Sequence, residues 1–292
     1  MKKTLMKNIF LLSAIVSLSL LQAVSFAETT KLECPSSAKN ASYTGPYLGV
    51  ENNLSVADFT LDLACADLFI TSKYPNKFVS ILGSSRIGEK NQSGNAKIDT
   101  ANDLIYQQIY NLAFKWTKAH SSTYPIMTGA GPGIMEAGSR GATKAGGPSI
   151  GYTTYYGPSR NNGGDASKVF WQYRPSKGKP QTIISDGLIF SSVAIRESVM
   201  FMHSAAMIIA PGGTGTEWEI FQTIEQMKSG QLNHIPIYIV GDKQIHWQSL
   251  YNRLDDMILR GTIKRHEVEA LLIHVDNPED VFKLLTKALK LG

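Results

Sequence analysis

A glycine-rich turn flanked by threonines and glutamates runs from Pro211 to Glu219, in the order Pro-Gly-Gly-Thr-Gly-Thr-Glu-Trp-Glu. An apolar run precedes it at residues 205–210, and a helix-like segment follows it at residues 220–228. Glycine permits positive φ and a close approach of ligands to the backbone, and the positive end of a helix dipole attracts anions. The pattern therefore predicts an anion-binding turn between a strand and a helix.

Glu217 and Glu219 place two carboxylates beside this turn. They are unsuited to holding a phosphate because like charges repel, so one or both should face the sugar or the reacting bond of a ligand. Serving only the helix dipole is the alternative role for Glu219.

Apolar runs and amphipathic segments alternate along the chain. This alternation predicts an α/β fold, a doubly wound, mostly parallel sheet with helices on both faces. Such sheets bind ligands beyond the carboxyl ends of their strands, and loops with ligand-type residues follow three predicted strands, at 83–86, 129–133 and 211–216. The predicted strands span 77–82, 125–128, 149–152, 182–190, 205–210 and 235–240, and the predicted helices span 54–70, 103–119, 193–204, 220–228, 247–260 and 282–291, with another that opens at 134–137.

The N-terminal residues have the composition of a bacterial secretion signal, with three lysines, an apolar core at residues 9–21 and a cleavage site at Ser25-Phe26-Ala27. We therefore expect export to the periplasm or beyond and no stable membrane insertion after cleavage. An uncleaved membrane anchor is the alternative. The expected organisation is a signal peptide at 1–27, an N-terminal extension with a helix at 28–76 and a main α/β domain at 77–292.

Within the extension, residues 28–53 predict an irregular lead, and Val56, Phe59, Leu63 and Leu68 predict the apolar face of a helix. In an oxidising compartment, Cys34 and Cys65 are candidates for a disulfide that would pin the extension onto this helix. Two unpaired thiols are the alternative. Two cysteines without a neighbouring histidine form no zinc set, so no metal site is expected.

The formal net charge of +5 includes three lysines of residues 1–27, so the mature chain is near +2. No block of clustered Lys and Arg is present. Bulk charge therefore gives no reason to expect a nucleic-acid partner.

The long connection at residues 157–181 is rich in Gly, Pro, Asn and Lys, and a loop of this length is usually functional or mobile.

Four motifs in order resemble those of the Lonely guy (LOG) family, whose members were long labelled lysine decarboxylases in error. The 211–219 turn is similar to the family's PGGxGTxxE signature, residues 128–137 resemble its TGGGPGIMEA segment, and residues 83–86 resemble its GSxR loop. Arg196 lies fifteen residues before Pro211, at the spacing of the family's Arg-Lys pair. The likeness extends from about Lys77 to about Leu254, and four ordered motifs are far more specific than one glycine loop.

The resemblance implies a Rossmann-like homodimer or higher homo-oligomer that hydrolyses an AMP-like nucleoside 5′-monophosphate. The products are a free base, adenine or an N6-modified adenine, and ribose 5-phosphate, and no metal or redox cofactor is needed. The resemblance assigns Arg196 and Glu219 to the catalytic pair. The implied phosphate cradle consists of Gly212, Gly213, Gly215 and Thr216, with Thr214 as a further hydroxyl donor, and the implied nucleotide contacts are Gly83, Ser84, Gly131 and Glu136.

Two residues depart from the family pattern. Glu197 replaces the lysine that follows the arginine, which reverses a charge near the site and can weaken binding of an anion. Ala130 replaces the second glycine of the middle loop and adds only a methyl group. A protein of the same fold that binds a nucleotide or phosphosugar without cleaving it is therefore the alternative function, and a structural protein that has lost the site is a third.

Several single residues also have structural alternatives. Glu136 can be a helix-face residue, Ser84 can cap the segment that follows it, and Arg86 can be a solvated charge. Tyr152, Tyr155 and Tyr156 can stack on a base, although packing in the core or a loop is favoured. For His203, packing or a dimer contact is favoured over catalysis.

Overall fold

A nine-stranded sheet organises a computed structural model of the chain, which describes residues 34, 36–38, 41–43, 54–154 and 170–291. The predicted secretion signal, Tyr155, Tyr156 and part of the predicted long connection lie outside the described residues. The strands of this sheet are β1 (Ser36–Ala38), β2 (Ala41–Tyr43), β3 (Phe78–Leu82), β4 (Ile126–Thr128), β5 (Ser149–Thr154), β8 (Asp186–Phe190), β9 (Ser204–Ile209), β10 (Ile237–Val240) and β11 (Ile273–Val275), and a separate hairpin consists of β6 (Gln172–Tyr173) and β7 (Gln181–Thr182).

Helices connect most of these strands. A 3₁₀ turn at Pro278–Asp280 precedes the last helix. The helices are α1 (Val56–Lys73), α2 (Ala96–His120), α3 (Ile134–Lys144), α4 (Val193–Met202), α5 (Thr214–Lys228), α6 (Lys243–His246), α7 (Gln248–Leu259), α8 (Arg265–Leu271) and α9 (Val281–Ala288). Within the described part of the chain, every helix is too short or too polar to span a bilayer.

The strand order is β1-β2-β8-β5-β4-β3-β9-β10-β11, and every neighbouring pair is parallel except β1 with β2. From β3 the chain proceeds through β4, β5 and β8 in one direction. It then returns to place β9 on the other side of β3. Strand order therefore reverses between β3 and β9, and open α/β sheets bind their ligands at such a reversal.

The core lies in two layers because successive side chains of a strand point to opposite faces. On β3, Phe78 and Leu82 belong to one buried cluster, and Val79 and Ile81 belong to the other. Residues of α1, α4, α5, α7 and α8 cover the first face, and residues of α2, α3 and α9 cover the second. The predicted doubly wound α/β fold is thus confirmed.

The extension differs from its prediction in two ways. Its lead is not wholly irregular, because β1 and β2 form there and β2 pairs in parallel with β8. The predicted helix is present as α1, but three of the apolar residues that indicated it, Val56, Leu63 and Leu68, are 80%, 41% and 49% exposed. The buried face of α1 carries Asp62, Cys65, Ala66, Phe69 and Ile70. Because Asp62 is polar, it interrupts the apolar pattern at helical spacing that would identify the buried face. The sequence pattern therefore did not indicate this face.

Other predicted elements need smaller corrections. Helix α2 begins seven residues before its predicted start, because the side chain of Asn95 caps its first turn. The strand predicted at residues 182–190 divides between β7 of the hairpin and β8 of the main sheet. The sequence patterns gave no indication of α6, α8 or β11.

A disulfide joins Cys34 to Cys65 of α1, with 5.6 Å between their Cα atoms. This separation is in the usual range for disulfides. The bond therefore links the start of the extension to the buried face of α1.

Candidate active site

The three predicted ligand loops meet at the carboxyl end of the sheet. The Ser84 N–H donates to the carbonyl of Pro211 at 3.0 Å, and the Ile134 N–H donates to the carbonyl of Ser84 at 3.0 Å. Gly133 has φ +70°, and a Cβ there would lie 2.3 Å from the Ser84 carbonyl oxygen. Glycine at this position therefore allows the middle loop, which includes Gly131, to pack directly against the Gly83–Ser84 turn.

The third loop leads into an uncapped helix N-terminus. Helix α5 follows Gly213 directly, and no side chain of the described residues is seen to cap its first amides. A Cβ on Gly213 or Gly215 would meet no atom of the described part of the chain within 4 Å, whereas one on Gly212 would lie 2.0 Å from Thr216 Oγ1. Gly212 thus serves close packing, and the other two glycines leave room for an anion above the helix.

The two threonines of the loop differ in their surroundings. Thr216 is 5% exposed and packs against Gly212, while Thr214 is exposed at the first position of α5. The Thr214 hydroxyl is therefore the more accessible of the two to a ligand. Both remain predicted phosphate contacts.

Glu219 is buried on α5, with 8% of its surface exposed. Burial raises the pKa of its carboxyl group to about 7, while Arg196 lowers this pKa and Glu197 raises it further. An acid with this pKa exchanges a proton readily near neutral pH, as a general acid or base must.

The second predicted carboxylate lies elsewhere. Glu217 forms an ion pair with Arg253 of α7, with 2.6 Å between Oε2 and Nη2. Glu219 is therefore the carboxylate of this turn that remains for chemistry at the site.

Arg196 extends from α4 to the same end of the sheet and is 6% exposed. Its Nη2 lies 3.0 Å from Glu197 Oε1, and its Nη1 donates to the carbonyl of Tyr152 at 3.5 Å. A Cβ on Gly129 would lie 3.0 Å from Nη1, so the guanidinium packs on the middle loop. The Nε atom is buried and has no hydrogen-bond partner among the described residues. The Nε–H is thus a donor that the described protein groups leave unused.

The carboxylate of Glu136 is fully engaged by protein groups. The Tyr106 hydroxyl donates to Oε1 at 2.6 Å, and the Trp171 indole N–H donates to Oε2. Arg140 lies 3.9 Å from Oε1 and donates to the Tyr106 hydroxyl at 2.7 Å. These contacts match the helix-face alternative, and a nucleotide contact for Glu136 stays a prediction.

Several other residues with alternative roles have protein partners. The Ser84 hydroxyl accepts a hydrogen bond from the Arg86 N–H at 3.0 Å, which is a capping contact. Tyr152 is fully buried, so it does not stack on a base, and its hydroxyl lies 2.8 Å from Nδ1 of His203. Burial lowers the pKa of His203 to about 4, so this histidine is neutral at pH 7.

No group of three or more His, Cys, Asp or Glu side chains in the described ranges is placed to hold a metal ion.

A family model described as "Possible lysine decarboxylase" matches residues 135–285, which is more than half of the chain. The chain belongs to this family. It is the family whose motifs the sequence resembles, so membership in the LOG family is confirmed.

Solved structures with a similar fold are distant from this LOG-family chain. A molybdenum cofactor binding protein from the phototrophic bacterium Rippkaea orientalis shares 16% identity, with a TM-score of 0.47 over 73% of this chain and 97% of that one. A molybdenum cofactor carrier protein from Chlamydomonas reinhardtii shares 12% identity, with a TM-score of 0.44 over 73% and 99%. No curated protein matches the chain in sequence. Likeness at this level says nothing about function.

The two departures from the LOG pattern have visible consequences. Ala130 holds φ +53°, a conformation in which the family's glycine is unstrained and alanine is not. Glu197 neutralises the catalytic candidate Arg196 by direct contact. The backbone N–H of Trp171 donates to the Ala130 carbonyl at 3.2 Å. The sequence did not point to Trp171, because the predicted long connection carries no periodic pattern.

Proposed function

We propose that this LOG-family chain hydrolyses the N-glycosidic bond of an AMP-like nucleoside 5′-monophosphate and releases adenine or an N6-modified adenine. The observation that carries the proposal is Glu219, a buried carboxylate with a pKa of about 7, located one turn into a helix whose N-terminus is uncapped. The helix N-terminus suits a phosphate. A carboxylate of this pKa suits the adjacent sugar and the water that attacks it.

In the proposed reaction, the amides at the start of α5 hold the 5′-phosphate together with the hydroxyl of Thr214. Fixing the phosphate positions the ribose, so binding energy far from the reacting bond supports its cleavage. The ionised form of Glu219 stabilises the oxocarbenium-like ribose and accepts a proton from the attacking water. The water oxygen bonds to C1′, the bond from C1′ to the base breaks, and the base leaves with its electron pair and takes up a proton. Arg196 holds an oxygen of the ribose or the phosphate.

Base release from a panel of nucleoside monophosphates tests this proposal. The panel includes AMP and N6-modified AMP, and the protein lacks residues 1–27. Free base detected by chromatography and lost in Glu219→Gln is the expected result. No release from any substrate by a folded protein would overturn the proposal.

A second candidate function is binding of a nucleotide or phosphosugar without cleavage. The ion pair between Arg196 and Glu197 favours it, because that pair occupies part of the guanidinium an anionic ligand would use. For a binding protein, wild type and Glu219→Gln would both bind nucleotide in a thermal shift assay, and neither would release base.

We further propose that the protein is exported and works as a homodimer. The disulfide between Cys34 and Cys65 supports export, since such bonds persist in oxidising compartments. Fractionation of cells that express the full chain tests export, with signal cleavage after Ala27 as the expected product. Light scattering of the mature chain tests the homodimer.

A further inference from the structure

Asp62 is a fully buried carboxylate on α1 of the N-terminal extension, outside the segment that resembles the LOG motifs. It accepts a hydrogen bond from the Ser191 hydroxyl at 2.8 Å and from the Ser191 N–H, which is 3.1 Å from both carboxylate oxygens. The Ser192 N–H also donates to Asp62, at 3.1 Å. A buried charge costs free energy unless hydrogen bonds compensate it, so these contacts fix the carboxylate and the backbone together.

The backbone that Asp62 holds is the start of α4. Ser192 is the N-cap of this helix, and its hydroxyl accepts from the Ile195 N–H at 3.1 Å. Its carbonyl accepts from the Arg196 N–H at 3.1 Å. Two hydrogen bonds through Ser192 therefore connect the Asp62 carboxylate to the backbone of Arg196.

The extension also holds the strand that leads into this helix. Strand β2 pairs with β8 in the register Ser42 to Leu188 and Tyr43 to Ile189. The disulfide joins residue 34, close before β1, to Cys65, which lies three positions after Asp62 on α1. The junction between β8 and α4 is thus held through a strand ladder and a carboxylate, both from the extension.

We infer that Asp62 is a positioning residue for Arg196, and that the disulfide-linked extension orients the helix which brings this guanidinium to the site. Ion pairs and hydrogen bonds of a guanidinium are directional, and a displacement of about 1 Å can cost about a hundredfold in rate. The catalytic consequence rests on the proposed function. The restraint on the start of α4 does not depend on it.

The test compares Asp62→Asn with Asp67→Asn, which changes an exposed carboxylate on the same helix. Hydrogen exchange of the amides at residues 191–196 should become at least about tenfold faster in Asp62→Asn and stay unchanged in the control. Because Asp62→Asn can fail to fold, Ser191→Ala serves as a milder variant that removes only the 2.8 Å hydroxyl contact. Unchanged exchange in a folded Asp62→Asn and in Ser191→Ala would overturn the inference.

A double-mutant cycle tests the link to Arg196. For base release from AMP, Asp62→Asn should lower kcat about tenfold or more in the wild type and have almost no further effect in Arg196→Ala. Equal losses in both backgrounds would reject the positioning role, because a general loss of stability would lower both alike. If wild type releases no base, the proposed function fails, and the exchange experiment still decides whether Asp62 restrains α4.

Discussion

Arg196 and Glu197 are adjacent on α4 and form an ion pair, with 3.0 Å between Nη2 and Oε1 and with both side chains largely buried. Adjacent helical residues rarely face each other. Both charges influence the carboxyl group of Glu219, which Arg196 favours in its ionised form and Glu197 disfavours. The charge balance of the candidate site is thus set by these three residues.

Glu219→Gln should reduce base release by about 10²- to 10⁴-fold, because the amide keeps the shape of the side chain but cannot accept a proton or carry charge. Nucleotide binding, measured by thermal shift, should persist. Glu217→Gln is the matched control, since Glu217 is paired with Arg253. A large loss in the control, or full activity in Glu219→Gln, would contradict the assignment.

The free energy of unfolding should depend on pH through Glu219. Its pKa is about 7 in the folded protein against an ordinary 4.5, so between these values the folded state keeps a proton that the unfolded state releases. Stability from this group is therefore lost as pH rises from 4.5 to 7, by about 3 kcal/mol. Urea unfolding should be measured for wild type and Glu219→Gln at pH 4 and at pH 8. The free energy of unfolding of the variant, relative to that of wild type, should be higher at pH 8 than at pH 4 by about this amount. An equal difference at both pH values would refute the raised pKa.

Glu197→Lys should raise kcat/KM for AMP by about tenfold, because it frees Arg196 from its ion pair and adds a positive charge for an anionic substrate. It should also lower the pKa of Glu219, since Glu197 raises this pKa. The acid limb of the pH–rate profile should therefore move to lower pH. Glu197→Gln, which removes the charge alone, should show a smaller change in the same direction. No gain in either variant would mean that the site is adapted to Glu197.

Gly215→Ala should leave the fold intact, because the new methyl group meets no atom of the described residues within 4 Å. It should weaken nucleotide binding, because it adds bulk to the proposed phosphate cradle. Gly133→Ala should destabilise the protein by about 1–3 kcal/mol or more, since it combines positive φ with a clash against the Ser84 carbonyl. Thermal unfolding and nucleotide titration of both variants separate the two effects. Strong destabilisation by Gly215→Ala would argue against an open cradle.

The local sequence was sufficient for the fold class and for the three loops that the structure brings together at the candidate site. Buried parallel strands and amphipathic helices leave strong short-range patterns, and Gly133 and Gly212 occur where close packing admits no side chain. The sequence also placed Arg196 and Glu219 in family motifs, 23 residues apart along the chain (219 − 196). Such motifs report residue types and spacing, which the chain carries without any tertiary information.

Only the tertiary structure decided which charges meet. Glu217 and Glu219 both lie beside the glycine-rich turn, yet Glu217 pairs with Arg253, whereas Glu219 is buried and interacts electrostatically with Arg196. The sequence patterns did not single out Asp62, but packing of α1 against α4 buries it, and its carboxylate accepts from the Ser192 N–H. Burial and long-range contacts depend on how elements pack, and a local pattern of polar and apolar residues does not encode which partner a buried polar group will find.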